Sequence, residues 1–297
     1  MYPAPFNYHR AKSVDEAVAM LSDIGEGARA LAGGQSLLPL LKLRFDEPTD
    51  LVDLGRIPDL NQIESNGDEI RIGALATHRH IGTSDLAASI PILGDCANGI
   101  ADNQVRSRGT IGGSVASGDP SCDWPPLLHT LDAMIQCQGP GGLRELDVNG
   151  FVTDLYETAL QPGEIVTGIR FAKPGSGSGG AYCAFKRCAP AFPTTTVGVH
   201  LKMTGGQVES ARVALGSSGL TPIRAQQAEA ELEGQSLSSA QVNRAADAAV
   251  AASDPVPDQR GSPDFKRKLI ASLTKRAIGI AERRASGETV KNSHEYY

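Results

Sequence analysis

Thr110-Ile111-Gly112-Gly113-Ser114-Val115-Ala116-Ser117-Gly118-Asp119-Pro120-Ser121-Cys122-Asp123 is the stretch around which the rest of the chain is organised. It has an earlier counterpart, Leu31-Ala32-Gly33-Gly34-Gln35-Ser36-Leu37-Leu38. Each pairs two glycines with small hydroxyl or amide residues beside an apolar run. A glycine pair removes two Cβ atoms, so the backbone can reach φ > 0 and lie close against a ligand. Successive free N–H groups in such a turn form a concavity for anions. One segment of this kind reads as a tight turn. Two in one chain suggest a pair of loops that each hold half of a pyrophosphate.

The chain around them is that of a globular protein with room for two domains. It has 297 residues, of which 40% are hydrophobic and 21% charged, and one core rarely keeps growing at that length. The net charge of −6 argues against a nucleic-acid partner or an anionic membrane surface. No apolar run reaches the ~20 residues that a membrane span requires, and residues 1–12 carry His9 and Arg10 without the apolar core of a leader. A cytoplasmic protein is expected. Cys96, Cys122, Cys137, Cys183 and Cys188 are odd in number and lack C-x-x-C spacing. They read as buried or partly buried small side chains rather than disulfides or metal ligands.

Ser13-Val14-Asp15-Glu16 is a capping box, with Ser13 accepting from the N–H of residue 16 and Glu16 reaching back to the N–H of Ser13. The apolar positions Val14, Ala17, Val18, Leu21 and Ile24 then follow helical spacing until Gly25. Residues 28–32 read as a strand into the first glycine segment, and Leu37–Leu43 as a helix out of it. Strands are expected at 51–54, 69–74 and 164–171, and helices at 77–81, 86–100 and 127–133. His78 and His80 read as solvated residues at a helix start, and Trp124 as packing. Arg106 and Arg108 fit either phosphate or surface ion pairs. Gly175, Gly177 and Gly180 match G-x-G-x-x-G, but a strand pattern follows instead of the required helix. Residues 173–180 read instead as a flexible linker. Beyond it come strands at 181–187, 194–203 and 207–216, the last two joined by Gly205-Gly206, and helices at 225–232, 239–252 and 263–284. An apolar stripe of Phe265, Leu269, Leu273, Ala277 and Ile280 is expected to face the sheet.

The segments LAGGQSLLPLLKLR and NQVRSRGTIGGSVASGDPSCDWP resemble the two flavin loops of the FAD-binding medium subunit of the molybdenum hydroxylases. That family includes carbon monoxide dehydrogenase and xanthine dehydrogenase. The similarity runs from Phe6-Asn7-Tyr8-His9-Arg10 to the helical C-terminal region. It implies an α+β protein: a two-subdomain, PCMH-type FAD-binding domain over 1–174, with subdomains of about 1–55 and 56–174. A small antiparallel sheet with helices over 181–285 and a tail over 286–297 would follow.

The resemblance also implies site residues. Ala32, Gly33, Gly34, Gln35 and Ser36, with Thr110, Ile111, Gly112, Gly113 and Ser114, would wrap the pyrophosphate of FAD, largely through backbone N–H groups. Asp123 would accept from a ribose hydroxyl, Ile100 would contact the flavin ring, Lys186 would lie near the ring's polar edge, and Phe192 would cover it. Three positions depart from residues found in the family: Ser114 stands where Asn is often seen, Gln35 where some members have His, and Ala191 where an acidic residue is usual.

No Ser/His/Asp order, metal cluster or acid–base pair stands out, which suits a chain that binds a cofactor carrying its own chemistry. As an oxidoreductase subunit the chain would pass electrons from [2Fe-2S] clusters to an external acceptor. Its implied partners are a large molybdopterin subunit and a small subunit with two [2Fe-2S] clusters, in a dimer of heterotrimers. The competing expectation is a self-sufficient FAD oxidase with its own substrate pocket.

Overall fold

In the computed structural model, described over residues 2–291, Ser13 Oγ accepts from the N–H of Glu16 at 3.1 Å. The Glu16 carboxylate returns to the N–H of Lys12 at 2.6 Å, one residue earlier than a strict capping box requires. The Val14–Ile24 helix behind this cap buries Ala17, Val18 and Leu21 and stops at Gly25, where φ is 73°. It packs beside a parallel three-stranded sheet in which Asp50–Asp53 is flanked by Asn7–Arg10 and Ala28–Leu31. Residues 11–60 thus share a small apolar core, joined by Ile165 from a later strand.

A second, larger core lies over an antiparallel sheet in the order Ile63–Asn66, Glu69–Gly73, Ile165–Ala172, Met134–Gly139, Gly142–Asp147. The helical pattern expected over 86–100 is divided into Asp85–Ser89 and Pro91–Gly99. Pro91 causes the division: it excludes the residue before it from helical geometry, and Ile90 has φ −124° and ψ 79°. Two further helices lie where the sequence suggested loop, Asn103–Arg108, capped by Asp102, and Ile111–Ala116, capped by Thr110.

The C-terminal unit is an antiparallel sheet of Ser178–Phe185, Thr195–Thr204, Gln207–Gly216 and Ile223–Arg224. Gly205 and Gly206 turn its hairpin with φ of 60° and 81°, as a two-residue loop of this type requires. The helices Gln226–Leu232, Ser239–Ala252 and Pro263–Ala285 complete it. The sheet begins at Ser178, inside the stretch that reads as linker. A Cβ on Gly179 would stand 2.2 Å from the Ala281 carbonyl oxygen, so strand and helix backbones touch there.

The buried face of the Pro263–Ala285 helix is rotated from the expected stripe. Phe265 is exposed, whereas Lys266, Ile270, Leu273, Thr274, Ala277, Ile278, Ala281 and Arg284 are buried. Charges at the two ends of this face find partners. Lys266 Nζ donates to the Val256 carbonyl and pairs with Asp258. Arg284 reaches across to the Pro91–Gly99 helix, donating to Asp95 through both nitrogens at 2.6 and 2.9 Å and to the Gly180 carbonyl at 2.6 Å. Its other contact, the Val290 carbonyl, holds the start of the expected tail; residues 292–297 of that tail lie outside the described residues. A second junction is Asp132, which takes one hydrogen bond of 2.7 Å from each of Arg212 and Arg224.

Removing one partner of a buried ion pair strands the other, at a cost of about 3–5 kcal/mol. Arg284→Met should therefore lower stability by that order, read as a drop in the urea midpoint. Adding Asp95→Asn to the same variant removes the stranded charge and should restore much of the loss.

Candidate flavin site

The two glycine segments face each other across a cleft of about 150 Å³. Ala32 and Gly33 line one wall, and Thr77, Ser107, Arg108 and Thr110 the other. They differ in what they offer. In the first, Gly34 has φ 72°, and the chain turns directly from the Ala28–Leu31 strand into the Leu37–Leu43 helix. Among the described residues no acceptor meets the N–H groups of Gly33, Gly34, Gln35 or Ser36; the Gln35 amide donates to the Gly33 carbonyl at 3.2 Å. A Cβ on Gly33 would lie 2.2 Å from the Arg108 carbonyl oxygen and 2.9 Å from Gly109 Cα. Only glycine lets this loop close on the other wall.

The second segment, expected to wrap the pyrophosphate largely through backbone N–H groups, is not a run of free donors. Ile111 N–H donates to the Ala76 carbonyl and Gly112 N–H to the Ala74 carbonyl, at 3.0 and 2.9 Å. Gly113 N–H is satisfied by Thr110 Oγ1 and Ser114 N–H by the Thr110 carbonyl. The glycines serve shape instead. A Cβ on Gly112 would meet the Ala74 carbonyl oxygen at 2.8 Å, while one on Gly113 would meet Thr110 Oγ1 at 2.9 Å and Ala32 Cβ at 3.9 Å.

Lys186, Asp123 and the helix end beside Ile100 come together at the seam between the units. The resemblance puts a ribose hydroxyl at Asp123. The structure gives its buried carboxylate to Tyr182, whose hydroxyl donates to Oδ1 at 3.2 Å, and to Lys186, whose ammonium lies 3.4 Å from Oδ2. Lys186, implied at the ring's edge, spends its shorter bond, 2.7 Å, on the Gly99 carbonyl, next to half-buried Ile100. Phe192 stands apart, 51% exposed on the turn after Phe185. Tyr182 and Gly99 carry no signal in the sequence, because a tyrosine on a strand and a glycine closing a helix both read as ordinary structure. Among the described residues Arg106 is in no ion pair. It donates to the carbonyls of Ile100 and Ala101 and to Asn103. Arg108 is exposed at the cleft.

Models of known protein families match both units: residues 4–174 match the FAD binding domain in molybdopterin dehydrogenase, and residues 180–281 the CO dehydrogenase flavoprotein C-terminal domain. The chain belongs to the FAD-binding medium subunits of the molybdenum hydroxylases. It is 40% identical to the carbon monoxide dehydrogenase medium chain of Afipia carboxidovorans, over 96% of this chain and 99% of that one. It is 36% identical to subunit alpha of the 6-hydroxypseudooxynicotine dehydrogenase complex of Paenarthrobacter nicotinovorans, over 96% and 97%. A solved carbon monoxide dehydrogenase from Hydrogenophaga pseudoflava superposes with a TM-score of 0.93 at 40% identity, covering 96% of this chain and 99% of that one. Quinoline 2-oxidoreductase from Pseudomonas putida 86 gives 0.91 at 31%, with coverage of 96% and 99%.

For a medium subunit, the first loop fits the dinucleotide part of FAD. An anion could take four uncommitted N–H groups there, with the exposed guanidinium of Arg108 on the facing wall. Among the described residues no group of His, Cys, Asp and Glu could hold a metal ion, and no helix is long and apolar enough to cross a membrane.

His78 props the wall opposite the first loop, and it is buried rather than solvated. Its N–H donates to the Gly109 carbonyl, and its Nδ1 accepts from Trp124 Nε1 at 3.0 Å. Burial, aided by the Arg106 charge, lowers its imidazole from 6.5 to about 4. The unfolded chain therefore takes up a proton near pH 6.5 that folded His78 refuses until about pH 4, so stability falls as pH drops through that window. The full effect is about 3 kcal/mol at one pKa unit per 1.36 kcal/mol. His78→Asn keeps an acceptor for Trp124. Near pH 5 it should flatten the pH dependence of the unfolding free energy by about 1.4 kcal/mol per pH unit, while His129 and His200, also lowered by burial, sustain the rest.

Proposed function

We infer that this chain holds FAD in the cleft between its glycine segments and serves as the electron-transferring subunit of a larger hydroxylase. The observation that carries the reading is the first loop, whose N–H groups from Gly33 to Ser36 are uncommitted and whose closure on Arg108 and Gly109 admits no Cβ. When bound, FAD supplies the redox chemistry, accepting electrons from [2Fe-2S] clusters and releasing them to an external acceptor. The chain's own residues bind and orient. Ala32 to Ser36 would donate to the pyrophosphate, Thr110 to Ser114 would hold the facing wall, and Ile100 would lie at the ring.

The curated relatives are medium chains or subunits of named dehydrogenases. By that likeness the partners are a large molybdopterin subunit and a small subunit with two [2Fe-2S] clusters, arranged as a dimer of heterotrimers. The substrate would bind the large subunit. A cytoplasmic location would suit the five free cysteines, since a reducing compartment keeps thiols unpaired.

Gly33→Ala forces a Cβ onto backbone rather than onto a movable side chain. It should abolish FAD retention while the chain stays folded, measured as flavin absorbance per chain after purification. Full flavin content in that variant would remove the first loop from the site. The purified chain without partners should oxidise no hydroxylase substrate; turnover by it alone would favour an independent oxidase.

A further inference from the structure

The Pro91–Gly99 helix ends in a short turn whose carbonyls are all taken by cations. Lys186 Nζ donates to the Gly99 carbonyl at 2.7 Å, and its side chain is 4% exposed. Arg106 Nη1 donates to the next two carbonyls, Ile100 at 2.7 Å and Ala101 at 2.9 Å, and Nη2 holds Asn103 Oδ1. Ala101 has φ 42°. A non-glycine residue persists there only where its surroundings over-determine it. Carbonyls at a helix C-terminus have no partner within the helix, and a charged donor makes a stronger bond to them than a neutral one. Three consecutive carbonyls are thus clamped from both sides, by a lysine of the C-terminal unit and an arginine of the FAD-binding domain.

The same helix is held one turn earlier, where Arg284 grips Asp95 and the Tyr182 N–H donates to it. Residues four apart lie on one face of a helix, so the C-terminal unit grips one face at two levels. Ile100 sits in the middle of the clamped turn, and it cannot shift without breaking a charged hydrogen bond on either side. The Lys186 ammonium is bonded to Gly99 and paired with Asp123, so its charge is already shared with this turn and with that carboxylate.

We propose that Lys186 and Arg106 are positioning residues for the flavin reaction: together they clamp the Gly99–Ala101 carbonyls and so fix Ile100 against the ring. Lys186 acts on the flavin through this turn rather than as a charge beside it. The proposal rests on the reading above that FAD is bound with Ile100 at its ring.

The test uses the full chain with FAD and the assembled complex. Arg106→Met is the primary variant, because Arg106 is in no ion pair among the described residues and its loss strands no buried charge. Lys186→Met is its companion, and Arg106→Lys and Lys186→Arg are the rescues. Three quantities are read: FAD per chain, the visible circular dichroism of the bound flavin, and its midpoint potential. Both methionine variants should keep FAD near the wild-type level. Both should change the dichroism in the same sense and shift the potential in the same direction, and each rescue should move these values back toward wild type. A Lys186→Met shift beside an Arg106→Met variant with wild-type dichroism and potential would overturn the clamp and leave a simple charge effect. If Lys186→Met does not fold, the Arg106 pair decides alone, since wild-type spectra and potential in Arg106→Met are sufficient to reject it. A wild-type chain that binds no FAD would instead bring down the functional reading on which the proposal stands. A wild-type chain that binds FAD beside a silent Arg106→Met variant brings down the clamp only.

Discussion

A single nine-residue helix, Pro91–Gly99, is where the two halves of the molecule are tied. Asp95 on it receives both nitrogens of Arg284, and Gly99, four residues on, receives the ammonium of Lys186. Both cations come from the C-terminal unit and both are buried. A buried charge is tolerated only when paired and hydrogen-bonded. The two units must therefore meet in one register, because any other leaves two cations and two carboxylates in a poorly solvated seam. Tyr182 has the same effect with no charge: it starts in the C-terminal sheet, its ring packs in the larger core of the FAD-binding domain, and its hydroxyl ends on Asp123.

What was legible in the sequence was what neighbours in the chain decide. The capping box at Ser13, the Gly205-Gly206 hairpin, the strand into Gly33 and the helix out of Ser36 all depend on groups a few residues apart. The one-residue shift of the Glu16 contact and the break at Pro91 lie within the same range. The two glycine segments were visible as a pair, yet their division of labour was not. Whether an N–H is free depends on where Ala74 and Ala76 fall, and those carbonyls come from a separate part of the chain. A reader of residues 110–114 alone sees donors, while the fold supplies acceptors for Ile111 and Gly112, and Thr110 itself supplies those for Gly113 and Ser114.

The site's electrostatics were less legible still. Arg284 and Lys266 occupy positions that read as the solvated side of an amphipathic helix, and the partner of Arg284 lies 189 residues away. Lys186 stood out as a cation near the flavin, but its bonds to Gly99 and Asp123 span 87 and 63 residues. Helical periodicity cannot register such a pair, because a charge scores as polar whether water or a carboxylate receives it. His78 makes the same point for a neutral group. It reads as a solvated residue at a helix start, yet it is buried and takes a hydrogen bond from Trp124, 46 residues later.

The covalent connection between the units is the part of the seam that matters least. Lys173, Gly175 and Ser176 are exposed on the surface, whereas Gly179, a few residues on, already lies backbone to backbone with the last long helix. The ties at Asp95, Gly99, Asp123 and Asp132 are all made by side chains from beyond that exposed turn. A protease that cut the turn would sever the chain without dividing the molecule: two fragments would separate under denaturing conditions and travel as one body under native ones.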